Sequence, residues 1–104
     1  MKIKTGCDVV EIKRIKRLDK KALNKIFHKS ELNNKPESLA GIFAAKESVK
    51  KVFNDLNWHD IEVKKLKNGK PDLILHKKIY MISYDISISH DGEYAVAVAV
   101  FLLK

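Results

Sequence analysis

Asp8, Glu47, Lys51 and His90 are the side chains whose types and placement could carry chemistry. Asp8 falls at or near the end of a segment that alternates apolar and polar residues, and Glu47 lies in a segment with helical periodicity. Carboxylates brought from a strand end and from a helix can converge on one Mg2+, which takes one or two protein carboxylates and fills its shell with waters and phosphate oxygens. Lys51 follows Glu47 by four residues and shares its helix face. His90 borders Asp91-Gly92, a favoured hairpin turn, where a histidine can donate to a phosphate beside the hydroxyls of Ser87 and Ser89. Each also has an ordinary role. Asp8 and Glu11 have capping-box spacing, Glu47 and Lys51 can form an i,i+4 ion pair of ~0.3–0.5 kcal/mol, and a histidine at a hairpin end can be idle.

Other chemistry is thinly represented. Cys7 is the single cysteine, so it can build neither an internal disulfide nor a zinc site, and the expectation is a small buried strand residue. His28, His59 and His76 lack metal-ligand spacing and read as surface residues. There is no phosphate-binding Walker loop and no nucleophile elbow, and the chain has only four glycines.

The elements that must position these groups follow from hydropathy. From Leu39 to Phe53 a helix is expected, with Leu39, Ile42, Ala45, Val49, Val52 and Phe53 on its core side. Ala40, Ala44, Glu47 and Lys51 line the other side, where small residues leave room for something to lie against the helix. Ile3, Thr5, Cys7 and Val9 alternate with polar or small residues as in a half-buried strand. Two short basic helices fill Glu11 to Leu32, with a break near Asp19-Lys20, and Pro36 suits the first turn of the long helix. Asn68-Gly69 and Asp91-Gly92 mark two hairpins, and the link from His76 to Tyr84 is a short helix or irregular. Strand, helices and then hairpins imply an α+β fold, an antiparallel sheet packed against one long helix.

With 104 residues the chain is expected to be one domain, residues 1–104. No apolar run is long enough to span a membrane and the N-terminus lacks a signal-like apolar segment, so a soluble, cytoplasmic protein is expected. The formal net charge of +8, concentrated in Lys13, Arg14, Lys16, Arg17, Lys20, Lys21, Lys25 and Lys29, implies an anionic partner.

Four stretches, taken together and in order, resemble a known family: Gly6-Cys-Asp8-Val-Val-Glu-Ile-Lys-Arg14, Phe27-His-Lys-Ser-Glu31-Leu32, Phe43-Ala-Ala-Lys46-Glu47 with Lys51, and Ile86-Ser-Ile-Ser-His90 with Tyr94-Ala-Val-Ala. They are similar to the holo-[acyl-carrier-protein] synthases, the short, single-domain 4′-phosphopantetheinyl transferases. The resemblance implies transfer of the 4′-phosphopantetheine arm of coenzyme A to a serine of apo acyl carrier protein, for fatty acid biosynthesis. It implies Asp8 and Glu47 as the Mg2+ carboxylates and Lys51 as the lysine facing the coenzyme A phosphates. It further implies that His90, with Ser89 beside it, lies toward the nucleotide, and that Lys13, Arg14 and Arg17 dock the acidic carrier. The segment Val52 to Trp58 departs from the family pattern by being short and free of glycine.

The last strand, residues 95–103, is apolar on both faces, so it needs two coverings, and the long helix can supply one. The expectation is a homotrimer with shared sites, as the resemblance also implies; the short basic helices are the alternative covering. A rival reading is a small basic nucleic-acid-binding domain, with Tyr80, Tyr84 and Tyr94 as stacking residues.

Overall fold

In the computed structural model, which describes residues 1–104, a central helix separates two layers. The elements run β1 (Lys2–Glu11), α1 (Ile12–Lys16), α2 (Lys20–Ile26), α3 (Pro36–Val52), a 3-10 turn (Trp58–Asp60), β2 (Ile61–Lys65), β3 (Pro71–Leu75), β4 (Met81–Asp91) and β5 (Tyr94–Leu103). Asp19 caps α2 by accepting from the Ala22 amide, which fixes the break between the two basic helices. Pro36 opens α3, where its missing N–H costs nothing.

One layer is the antiparallel sheet β1-β5-β4 and the other contains the β2-β3 hairpin. The β4-β5 loop is Gly92-Glu93 rather than Asp91-Gly92, because Asp91 pairs with Tyr94. Gly92 has φ +58° and Glu93 a negative φ, the φ pattern of a II′ turn with glycine first. The link after β3 has no helix and runs directly into β4.

Ten of the 17 residues of α3 are buried, because it is covered on both sides. Phe43 stacks on Trp58, and Ile42 lines one cleft with Val63 of β2. The small residues Gly41, Ala44 and Ser48 face the sheet, where Ser48 Oγ donates to the Ala44 carbonyl at 2.8 Å and lies 3.2 Å from that of Ala97. This corrects the expectation of an open stripe. Ala40 and Ala44 are fully buried, and their small size serves close helix packing, not an incoming ligand.

The phase of β1 is also opposite to expectation. Gly6 and Val10 are buried toward α3, whereas Ile3, Cys7 and Val9 are exposed. In register with them on β5 are Leu102, Val98 and Val96. Ala95, Ala97, Ala99 and Phe101 take the helix side. The short helices pack against the layer beyond α3, so they do not cover the valine face.

Candidate active site

The site begins with a backbone contact. A Cβ at Gly6 would lie 2.8 Å from the Ser48 carbonyl carbon and nearer still to its oxygen, so only glycine lets β1 and α3 meet here. Two residues along β1, Asp8 is on the same sheet face, and one turn along α3, Lys51 reaches across to it. The Lys51 ammonium donates to the Cys7 carbonyl at 2.7 Å and lies 3.4 Å from Asp8 Oδ1. Glu47 stands one helical turn before Lys51 on the same flank and is partly exposed.

This arrangement replaces both ordinary roles. Asp8 is inside β1, paired with Ala97, and the N-cap position of α1 is Glu11, which makes no capping bond with its side chain. Lys51 pairs with Asp8 rather than with Glu47.

His90 occupies the other edge of the sheet. With Glu37, Ser38, Ile42, Lys64 and Lys65 it lines a cleft of about 250 Å³ between α3, β4 and the β2-β3 hairpin. Ser89 pairs with Val96 on the opposite, valine-bearing face. The two residues expected side by side therefore do not line one cleft. β5 separates β4 from β1, so in a single chain the His90 cleft and the Asp8–Lys51 pair lie on opposite sides of the sheet's central strand.

The basic residues expected to dock a partner are on or just after α1. Lys13 pairs with Glu11 at 3.3 Å, Arg14 lies over the Phe43 ring at 5.4 Å, and Arg17 ends the helix. All three are exposed. The tyrosines make no common stacking surface. Tyr80 and Tyr94 lie at opposite ends of the β4-β5 hairpin, and the Tyr84 hydroxyl donates to Asp72 at 2.9 Å. Burial and the Asp72 carboxylate hold its phenol above the usual range.

A buried ion pair beside Glu47 was not anticipated. Lys46 and Glu31 are fully buried and 2.7 Å apart. Lys46 also donates to the Ile26 carbonyl at 2.8 Å and approaches that of Trp58 at 3.4 Å. Glu31 accepts from the His28 and Val63 amides at 2.7 and 2.8 Å. The pair thereby joins α2, the turn after it, the 3-10 turn and β2 to the central helix. Burial pulls the Lys46 ammonium below its usual range, and Glu31 opposes that shift. Its sequence signal was a lysine on the same side of the helix as Leu39, Ile42 and Val49. The three histidines read as scattered surface residues in fact converge, His28 lying 4.8 Å from His59 and 5.2 Å from His76 between ring centroids.

Comparison with known proteins places this chain in a family. Residues 4–99 match the model of the 4′-phosphopantetheinyl transferase superfamily. The holo-[acyl-carrier-protein] synthase of Chlorobaculum parvum is 41% identical, with 90% of this chain and 93% of the relative covered. That of Bacillus subtilis is 38% identical, with 88% of each covered. Among solved structures, the Helicobacter pylori holo-[acyl-carrier-protein] synthase in complex with coenzyme A superposes with a TM-score of 0.86 at 32% identity, covering 94% of this chain and 99% of that one. The Bacillus anthracis synthase in complex with coenzyme A (3′,5′-ADP) gives 0.84 at 34% identity and 96% coverage of both. With sequence and fold agreeing over nearly the whole length, the chain belongs to the holo-[acyl-carrier-protein] synthase family of the 4′-phosphopantetheinyl transferase superfamily.

Proposed function

We propose that this chain, as one domain over residues 1–104, moves the 4′-phosphopantetheine arm of coenzyme A onto a serine of apo acyl carrier protein. The serine oxygen attacks the β-phosphorus of the diphosphate and the bond to the nucleotide breaks. Adenosine 3′,5′-bisphosphate and the serine proton are released. The observation that carries this reading is the pairing of Asp8 with Lys51 beside the Gly6–Ser48 contact, with Glu47 one helical turn before Lys51, in a fold shared with coenzyme A-bound synthases.

Asp8 and Glu47 offer hard carboxylate oxygens from two elements locked together, a donor set that fits Mg2+. When bound there, Mg2+ would neutralise charge on the diphosphate in the transition state. Lys51 adds a cation that stabilises the departing phosphate. The Cys7 carbonyl and Asp8 orient its ammonium, so little reorganisation is needed when the phosphates arrive. His90, Lys64 and Lys65 give the cleft the positive and hydrogen-bonding groups that a phosphorylated nucleotide requires. Lys13, Arg14 and Arg17 form the basic docking surface for the carrier.

We also propose a homotrimer. Its support is the uncovered apolar face of β1 and β5, where Ile3 is 68%, Val9 59% and Val96 41% exposed. The separation of the His90 cleft from the Asp8–Lys51 pair within one chain suits a site completed by a neighbouring copy. No helix is long and apolar enough to cross a membrane. A cytoplasmic role in fatty acid biosynthesis is part of this proposal.

The test is incubation with coenzyme A, Mg2+ and apo acyl carrier protein, followed by the intact mass of the carrier. A gain of one 4′-phosphopantetheine, lost on chelating the metal, is expected. An unchanged carrier mass across several apo carriers would overturn the reading.

A further inference from the structure

We propose that His28, Glu62 and His76 form a site for a transition-metal ion of the zinc class, separate from the Asp8 and Glu47 carboxylates. One nitrogen from each imidazole and one oxygen of Glu62 lie within 4.8 Å of one another. Two imidazoles and a carboxylate are the donors of zinc sites that leave a fourth position open, whereas Mg2+ prefers oxygen throughout. Ligand atoms around a four-coordinate zinc are about 3.3 Å apart, given bonds of about 2.0–2.1 Å, so modest side-chain rotation closes the cluster.

The three ligands come from the turn after α2, from β2 and from the residue that follows β3, and their backbones are already fixed. Glu31 holds two of these segments at once, with one carboxylate oxygen on the His28 amide and the other on the Val63 amide beside Glu62. The His76 amide donates to the Asp60 carbonyl at 2.8 Å. Since Glu31 is itself anchored by Lys46, the ligand-bearing segments rest on a buried hub.

Outer hydrogen bonds orient the ligands as metal sites require. Ser30 donates to Glu62 Oε2 at 2.6 Å, and Oε1 shares a 2.8 Å hydrogen bond with His76 Nε2, whose proton an ion would replace. His28 Nε2 lies 2.9 Å from the His59 carbonyl, and donation there leaves Nδ1 with the lone pair. His59 is outside the group of ligand atoms that gather here, and its Nε2 lies 2.8 Å from the Asn24 carbonyl. An ion here would tie three segments of a small domain together, as structural metals do in chains with limited cores.

The experiment uses the full chain, treated with chelator and dialysed, then titrated with Zn2+ alone by calorimetry and with Co2+ by visible absorption. One ion per chain, the d–d bands of four-coordinate cobalt and a raised thermal midpoint are expected, without competition from Mg2+. His76→Ala and Glu62→Gln should each weaken binding ~100-fold. Glu47→Gln should bind as the wild type does, and so should His59→Ala, which keeps the main-chain carbonyl. The His76 side chain is 45% exposed, so His76→Ala tests the site without opening the core. Absence of saturable zinc binding at micromolar metal, unchanged binding by His76→Ala, or loss of binding in Glu47→Gln or His59→Ala would each overturn the assignment.

Discussion

Gly6 of β1 and Ser48 of α3 meet backbone to backbone, and this contact sets the distance between the strand that carries Asp8 and the helix that carries Glu47 and Lys51. Gly6→Ala places a methyl against a carbonyl that cannot turn away, so β1 must move off the helix. The expected loss is about 3 kcal/mol or more in urea unfolding. Gly41→Ala is the control, since its Cβ would meet only Cγ2 of Ile88, at 2.6 Å. There the gain of about 1 kcal/mol from replacing a helical glycine offsets part of the crowding, so the loss should be clearly smaller than for Gly6→Ala. Similar losses for the two variants would refute the account of Gly6.

Lys46 and Glu31 give a second stability test. Removing one partner leaves a buried charge without its counter-ion, so Lys46→Met or Glu31→Leu should cost about 3–5 kcal/mol. The double variant Lys46→Met with Glu31→Leu should cost less than the sum, and the difference in a double-mutant cycle measures the coupling. The amides of His28 and Val63 lose their acceptor in the double variant, so full recovery is not expected. Strict additivity would remove the pair from its place as the hub of the second layer.

Much of this architecture was legible from residue order, and the failures share one cause. The hairpins announced themselves through alternation and positive-φ glycines at Gly69 and Gly92. Cys7 and Val9 showed that one face of β1 is apolar, but alternation does not say which face a neighbour covers. That is decided by Gly6, whose missing side chain lets α3 approach from the other side. Ala40 and Ala44 likewise suggested open space because spacing shows small residues, not what fills the gap beside them. His28, Glu62 and His76 come together only through tertiary packing, so no spacing rule could connect them.

For the catalytic assignment, Asp8→Asn and Glu47→Gln should each abolish transfer while leaving the unfolding free energy within about 0.5 kcal/mol of wild type. Both substitutions preserve shape and remove charge. Lys51→Met should lower kcat for transfer more than it raises KM for coenzyme A, because its proposed role is in stabilising the leaving phosphate. Near wild-type turnover by either carboxylate variant at ordinary Mg2+ would remove that residue from the metal site.

Reversing charge at the end of α1 separates docking from catalysis. Arg14→Glu with Arg17→Glu should raise KM for the carrier on the order of tenfold and change KM for coenzyme A little, and added salt should mimic the effect on wild type. Arg14 also covers the Phe43 ring, so Arg14→Met, which keeps an apolar cover and loses the charge, distinguishes packing from electrostatics. Equal damage to both constants would assign these arginines to the cofactor or to the fold.

The exposed face of β1 and β5 supplies the last prediction. Cys7 pairs with Val98 at the middle of this face, flanked by Val9, Val96 and Val100. A trimer built on it would shield the single thiol, whereas an isolated chain leaves Cys7 open to reagent. Light scattering at micromolar protein should therefore report a mass near three chains, and Cys7 should react slowly with a thiol reagent. Val98→Asp places a charge at the centre of the face, so it should lower the mass, speed the labelling of Cys7 and reduce transfer together. Ala97→Asp is unsuitable as an interface probe, because Ala97 is buried under α3 and a carboxylate there would disrupt the core. A wild-type chain that is monomeric, rapidly labelled and fully active would rule out the shared site, while leaving the roles of Asp8, Glu47 and Lys51 standing.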